Sequence, residues 1–372
     1  MFPESIVTIS GDAGGAAALA PVLSLLQRDD RVSLKHYAYA QAPDVLQQAG
    51  IPNLQLHSCD VALARRILAR ERAALLLTAT SVNDLEFEKQ FVVAARQSAC
   101  PSLGVLDFWS NYVQRFEDEQ GVANCSPDVL TVMDACAASG VRNAGIPSEL
   151  KITGHPAFDG LLAWRQTFSA DKRRFVRTAL GVQASDFLVI FVSQAIAELY
   201  GDAKKHLGFD QDSVRQIVTQ TLAQLPPDQR RVLAIRRHPR EIGERVENRH
   251  GSLDVVLDST PHRWDAVMAA DLVVGMNSVL LLEASYLGAP VISLQPGLRG
   301  DDFLPSNGWG GSAAAYRLED ATALLSEYVL DASARTKLGA RAAEFAPEGH
   351  AAERICECVH QQLARSTRAI WE

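Results

Sequence analysis

Short apolar runs alternate with amphipathic segments along almost the whole chain. Residues 5–10 (SIVTIS) read as a strand that runs into Gly11-Asp12-Ala13-Gly14-Gly15, followed by an alanine-rich helix over 16–27. Strands are predicted at 32–39, 73–78, 102–107, 129–133 and 151–153, with helices at 62–71 and 86–99 between them. The segment 158–172 holds polar and aromatic residues with no strand pattern and reads as a linker. The alternation then restarts, with strands at 187–192, 231–235, 255–257, 272–274 and 291–294 and a helix at 213–224 closed by Pro226-Pro227. Helices are expected at 321–328, 332–345 and 349–363. Strands separated by helices of ten to fifteen residues indicate parallel sheets covered on both faces. The fold class expected is therefore α/β, with two Rossmann-like, doubly wound parallel-sheet domains. Their predicted bounds are 1–160 and 170–350, with residues 351–372 packing back toward the first domain.

Composition narrows the partners. At 372 residues the chain is long enough for two cores, and 47% hydrophobic with 22% charged residues is ordinary for a globular protein. A formal net charge of −8 argues against nucleic acid, whose phosphates require a basic face. The opening Met1-Phe2-Pro3-Glu4-Ser5 has no cationic stretch before an apolar run, so no signal peptide is expected. No apolar stretch reaches the ~18 residues that suggest a membrane span. The cysteines (Cys59, Cys100, Cys125, Cys136, Cys356, Cys358) have no zinc or redox spacing, which fits reduced thiols in a cytoplasmic protein. Peripheral association with the inner membrane face stays open, as does the oligomeric state.

Ligands of open parallel sheets bind beyond the carboxyl ends of the strands, so the loops after strands carry the candidate chemistry. The richest is the run from Ala270 to Leu294, a strand, a tight turn, a helix and a second strand. There Asn277 or Ser278 would cap the helix and, with free N–H groups, bind a diphosphate. Arg236, Arg237 and His238 follow the strand at 231–235, where a guanidinium could pair with phosphate. Ser193 and Gln194 follow the strand before it. In the first half, Gly14 and Gly15 would let a substrate approach the backbone closely. The spacing does not fit G-x-G-x-x-G, which excludes a dinucleotide site. Asp12 and Asp107 end strands and are candidate bases for an acceptor hydroxyl. Thr80, Trp109 and Asn111 would line the same wall with Thr78, Ser81 and Asp84, the aromatic face stacking on a sugar.

Ser10-Gly11-Asp12-Ala13-Gly14-Gly15, Thr153-Gly154-His155-Pro156-Ala157-Phe158-Asp159, Arg237-His238-Pro239-Arg240-Glu241 and the stretch 275–290 together resemble, in order, the two-domain GT-B glycosyltransferases and the related UDP-N-acetylglucosamine 2-epimerases. The resemblance implies two domains facing a cleft, with a nucleotide sugar, UDP-linked, held in the second. It implies that Glu283 accepts hydrogen bonds from ribose hydroxyls, and that Arg299 and Asp301, with Asp302, face the donor sugar. It also implies metal-independent chemistry with no cofactor. The activity expected is transfer of a sugar to a polysaccharide, glycolipid or small-molecule acceptor, with closure of the domains excluding water. The alternatives are a 2-epimerase and a non-catalytic scaffold of the same fold. The epimerases carry Gly-Gly where this chain has Met276-Asn277-Ser278, and their first-domain acids are only loosely echoed by Asp84, Asp107 and Glu117.

Overall fold

The computed structural model describes residues 3–83, 85–201, 203–238, 241 and 249–369. The chain divides into two compact units, one of residues 1–160 with 348–372, the other of residues 161–347. Each is built on one seven-stranded sheet.

The first sheet contains β1 (Glu4–Ser10), β2 (Val32–Ala38), β3 (Leu54–Gln55), β4 (Leu75–Thr78), β5 (Ser102–Val105), β6 (Val129–Val132) and β7 (Glu149–Ile152). Their spatial order is β3-β2-β1-β4-β5-β6-β7, all parallel. The chain winds outward from β1 to β3, then returns to the other side of β1. This places the topological switch between β1 and β4. Both faces are buried, which explains why these strands read as continuous apolar runs. The pleat sorts them: Ile6, Leu75, Leu77, Leu103 and Val105 pack under the helix Ala13–Leu26, and Val7, Ile9, Leu76 and Phe91 fill the other face. Ile355, Val359 and Leu363 of the last helix, Ala351–Ala369, join the first of these clusters. Asp159 fixes the start of that helix by accepting from the N–H groups of Ala351 (2.9 Å) and Ala352 (2.8 Å).

The second sheet contains β8 (Phe187–Val192), β9 (Arg231–Arg236), β10 (Arg249–His250), β11 (Leu253–Leu257), β12 (Leu272–Gly275), β13 (Val291–Leu294) and β14 (Ala313–Ala315). The order is β10-β11-β9-β8-β12-β13-β14, with only the β10–β11 pair antiparallel among the described residues. Here the switch lies between β8 and β12. Both units are thus doubly wound α/β layers, as the alternation of elements predicts.

The linker expected at 158–172 is not one. It holds a 3-10 turn (Pro156–Phe158), the helix Leu161–Thr167 and the start of the helix Ala170–Ala179. Ser169 caps the second helix by accepting from the N–H of Lys172. Trp164 and Phe168 pack together with ring centroids 5.5 Å apart. This aromatic pair joins the helix Leu161–Thr167 to the residue just beyond its end, a local contact that carries no strand-like period.

Candidate functional site

At the switch of the second sheet, β8 ends in Ser193-Gln194 and β12 in Met276-Asn277-Ser278. The two loops are joined by a reciprocal amide pair. Gln194 Nε2 donates to Asn277 Oδ1 (3.0 Å), and the Asn277 N–H donates to Gln194 Oε1 (3.0 Å). Asn277 is therefore a bridge between strands rather than a helix cap. Ser278 is the cap of the helix Val279–Tyr286, its Oγ accepting from the N–H of Leu280 (3.2 Å). The N–H groups of Ser278 and Val279 have no acceptor among the described residues, and Val279 is 42% exposed. Open amides at the positive end of a helix, beside a neutral amide bridge, make a place suited to an anion.

Glu283 lies one turn further in and is buried. The resemblance gives its carboxylate to ribose hydroxyls, but in this structure protein donors already hold it. Arg263 donates from Nε to Oε2 (2.8 Å) and from Nη2 to Oε1 (2.7 Å), and Trp264 Nε1 donates to Oε2 (2.9 Å). This bidentate fork ties the start of the helix Arg263–Ala269 to the helix that begins the anion place. Around it stand Trp164 and His262, stacked at 5.3 Å, with the Trp264 ring edge-on to both.

The residues after β9 are also engaged. Arg236 Nη1 donates to the buried Asp258 Oδ2 (2.7 Å) and to the Thr260 carbonyl (3.1 Å), so its charge is spent within the unit. Ser193 Oγ donates to Glu241, which also accepts from the His238 N–H (2.8 Å). Arg237 and His238 follow β9, while Pro239 and Arg240 fall outside the described residues. In the loop after β13, Asp301 is exposed and Arg299 Nη1 donates to the Lys205 carbonyl (2.8 Å). The organiser of that loop is Asp302, which accepts from Gln295 Nε2 (2.8 Å), the Leu304 N–H (3.0 Å), Asn307 Nδ2 (2.7 Å) and Tyr316 Oη (2.6 Å).

The switch of the first sheet has the opposite chemistry. Asp12 follows β1, and its carboxylate accepts from the Val82 N–H (2.8 Å) and from Asn83 Nδ2 (2.8 Å), both in the loop after β4. Asp84 of that loop lies outside the described residues. Asp107 follows β5. Its Oδ1 accepts from Thr80 Oγ1 (2.7 Å) and pairs with Arg115 Nη1 (2.6 Å), leaving the Asp107 and Arg115 side chains 10% and 6% exposed. Arg115, which the sequence reading passed over, also donates to Thr80 Oγ1 (3.1 Å) and to the Ser110 carbonyl (3.0 Å). Oδ2 of Asp107 has no donor among the described residues and lies over the start of the helix Ala13–Leu26. A Cβ on Gly14 would stand 2.7 Å from it, and one on Gly15 would stand 2.8 Å from the Thr80 carbonyl. The two glycines thus make room for this chain's own Asp107 and Thr80.

Trp109 is also engaged within the unit. Its Nε1 donates to Asp134 Oδ2 (2.8 Å), and its ring stacks at 6.1 Å on His155, which in turn bonds the Asp107 carbonyl through Nε2 (2.8 Å). The indole is a brace inside the unit. Asn111 is exposed and left-handed, with φ 57°, a conformation asparagine tolerates well, and starts the short helix Tyr112–Phe116 that carries Arg115.

Among the described residues, no group of three or more His, Cys, Asp or Glu side chains could hold a metal ion, and no helix is long and apolar enough to cross a membrane. No protein-family model matches the chain, and no curated protein matches it. Solved structures do. UDP-GlcNAc 2-epimerase from Neisseria meningitidis, bound to UDP-GlcNAc, is similar with a TM-score of 0.67 and 14% identity, over 96% of this chain and 100% of that one. MurG of Acinetobacter baumannii gives 0.64 and 12%, over 96% and 99%. HepE of Anabaena in complex with UDP gives 0.63 and 15%, over 98% and 100%. Two seven-stranded doubly wound units, matched along nearly the full chain by these structures, give this protein the GT-B fold.

Proposed function

We propose that this protein is a nucleotide-sugar-dependent glycosyltransferase that uses a UDP-linked donor and passes the sugar to a hydroxyl acceptor. The observation that carries the reading is the pair of open amides at Ser278 and Val279, beside the Gln194–Asn277 bridge at the second switch. A diphosphate placed there receives N–H donors and the helix dipole without a metal. Glu283, already held by Arg263 and Trp264, offers the remaining lone pairs of its carboxylate to the ribose. Arg237 and His238 are the other donor-side groups. In the first unit, Asp107 Oδ2 and Asp12 face the acceptor and orient its hydroxyl. The ligands bound in the epimerase and HepE structures, UDP-GlcNAc and UDP, support the donor class.

Isothermal titration with UDP, UDP-GlcNAc and UDP-glucose tests this. Binding weakened at least tenfold by Ser278→Pro, which removes one of the two open N–H groups, is the expected result. Absence of binding by any nucleotide would favour the scaffold of this fold instead. The epimerase neighbours favour a second reading, epimerisation at the sugar's C2. That reaction requires a proton to leave and return at carbon, so turnover in deuterated water would label the sugar, whereas transfer leaves it unlabelled. Both first-unit acids are tied to neighbouring donors, which supports hydroxyl orientation over abstraction of a carbon-bound proton.

A further inference from the structure

Glu88 lies on the helix Phe87–Gln97, at the far side of the loop that holds Asp12, and is 4% exposed. No cation contacts it among the described residues. Its two oxygens accept instead from two hydroxyls, Ser81 Oγ and Tyr39 Oη. Each hydroxyl leads on to Asp12. Ser81 Oγ accepts from the Asp12 N–H (3.3 Å). Tyr39 Oη accepts from Asn83 Nδ2 (3.2 Å), the same amide that donates to Asp12 Oδ1 (2.8 Å). The Val82 N–H, between Ser81 and Asn83 in the chain, supplies the donor to Asp12 Oδ2 (2.8 Å). The acid is the common footing of both legs, and burying its charged form without a counter-charge is costly.

We infer that Glu88 is a positioning residue: through Ser81 and Tyr39 it fixes the loop 81–83 against the end of β1 and so sets where the Asp12 carboxylate stands. The inference rests on the reading of Asp12 as an acceptor-side group, but the contact itself can be tested without any activity. Burial pushes the Glu88 carboxyl up to about 7 from its ordinary 4.5, and the charge of Asp12 raises it further against the lowering effect of the two hydroxyls. The other groups around it are balanced or neutral. Lys89 pairs with Glu86, Arg115 pairs with Asp107, and burial raises both the Tyr39 hydroxyl and the Cys125 thiol. Local opening of the loop wets Glu88 and returns it to an ordinary acid. The open population therefore rises about tenfold per pH unit from 4.5 to 7 and is flat above 7.

Hydrogen–deuterium exchange of the Asp12 and Val82 amides, corrected for intrinsic rates and followed from pH 4.5 to 8 on the full chain, reads this directly. The wild type should show that rise and plateau, totalling about two orders of magnitude. Glu88→Gln keeps an acceptor and a donor for the two hydroxyls, so protection should persist and the pH dependence should vanish. Ser81→Ala and Tyr39→Phe each remove one leg and should raise exchange at Asp12 and Val82 at every pH, which provides a test if changes at 88 impair folding. Unchanged pH dependence in Glu88→Gln, or unchanged protection in both leg variants, overturns the inference. Loss of nucleotide binding in the wild type would overturn the glycosyltransferase reading and leave this result standing.

Discussion

Replacing Arg115 by methionine keeps most of the side chain's apolar stem and removes its charge. In the structure that charge is the counter-ion of a nine-tenths buried carboxylate, with Nη1 shared between Asp107 Oδ1 and Thr80 Oγ1 and Nε satisfying the Ser110 carbonyl. Removing one partner of a buried pair costs about 3–5 kcal/mol, because the remaining charge stays in a poorly solvated place. For a unit of this size each kcal/mol moves Tm by about 2–4 °C, so the first unit should melt about 6–20 °C lower. Differential scanning calorimetry with a double-mutant cycle against Asp107→Asn isolates the pair. The double variant should recover part of the loss, with a coupling of about 1–3 kcal/mol. Arg115→Met costing under about 1 kcal/mol, or strict additivity with Asp107→Asn, would show that Arg115 does not hold Asp107 and would refute the account of this site.

Other consequences follow from the same contacts. His36 is buried with Thr8 and Ser10 hydroxyls on its two ring nitrogens, and burial lowers it from 6.5 to about 3. Its unfolded form takes up a proton first, so its contribution falls by about 1.4 kcal/mol per unit as pH drops from 6.5 toward 3. Glu88 runs the other way, its contribution being complete below 4.5 and lost by pH 7. Urea unfolding between pH 4.5 and 6.5 should therefore show stability rising more steeply with pH in Glu88→Gln than in wild type, and less steeply in His36→Gln; identical slopes in all three would refute both assignments. Gly14→Ala should cost about 1–3 kcal/mol, since its Cβ meets Asp107 Oδ2, and the loss should shrink in an Asp107→Ala background, as thermal melts would show. Arg263→Met leaves the buried Glu283 with Trp264 alone and should lower stability by about 1–3 kcal/mol, readable by urea unfolding; a neutral result would separate Arg263 from the Glu283 cage.

The fold was legible because buried parallel strands advertise themselves as apolar runs and their helices as the amphipathic intervals. The short edge strands Leu54–Gln55 and Arg249–His250 were not legible, since two exposed residues carry no period. In the candidate site, position was easier to read than partnership. Asp12, Asp107, Asn277 and Ser278 stand in loops beyond strand ends, and Glu283 one turn inside the helix that follows, as expected. What the sequence could not show is that Arg236, Trp109 and Glu283 are already occupied by Asp258, Asp134 and Arg263, residues 22, 25 and 20 positions away. Arg115 carried one faint signal, a lone cation one short helix after Asp107. Glu88 carried none, because its burial is a tertiary fact.

The two switch points begin from the same topology and diverge in charge. At β8 and β12 the loops meet through neutral amides, and the following helix leaves N–H groups open, so the local potential is positive. At β1 and β4 the equivalent helix start has Asp107 Oδ2 next to Gly14 and follows Asp12, whose carboxylate is bonded to the loop 82–83. A second anion brought there would meet a helix end already compensated by this chain's own acids. The second switch thus suits an anion. The first suits a group that donates hydrogen bonds to carboxylates. If the acceptor carries a diphosphate, that group must rest away from the Gly14 end of the first helix. Asp107→Asn should then leave inorganic pyrophosphate binding unchanged if all of it belongs to the second unit. A new pyrophosphate site appearing in that variant would show that Asp107 is what keeps anions from the first switch, while a first-unit pyrophosphate site in the wild type would contradict the argument.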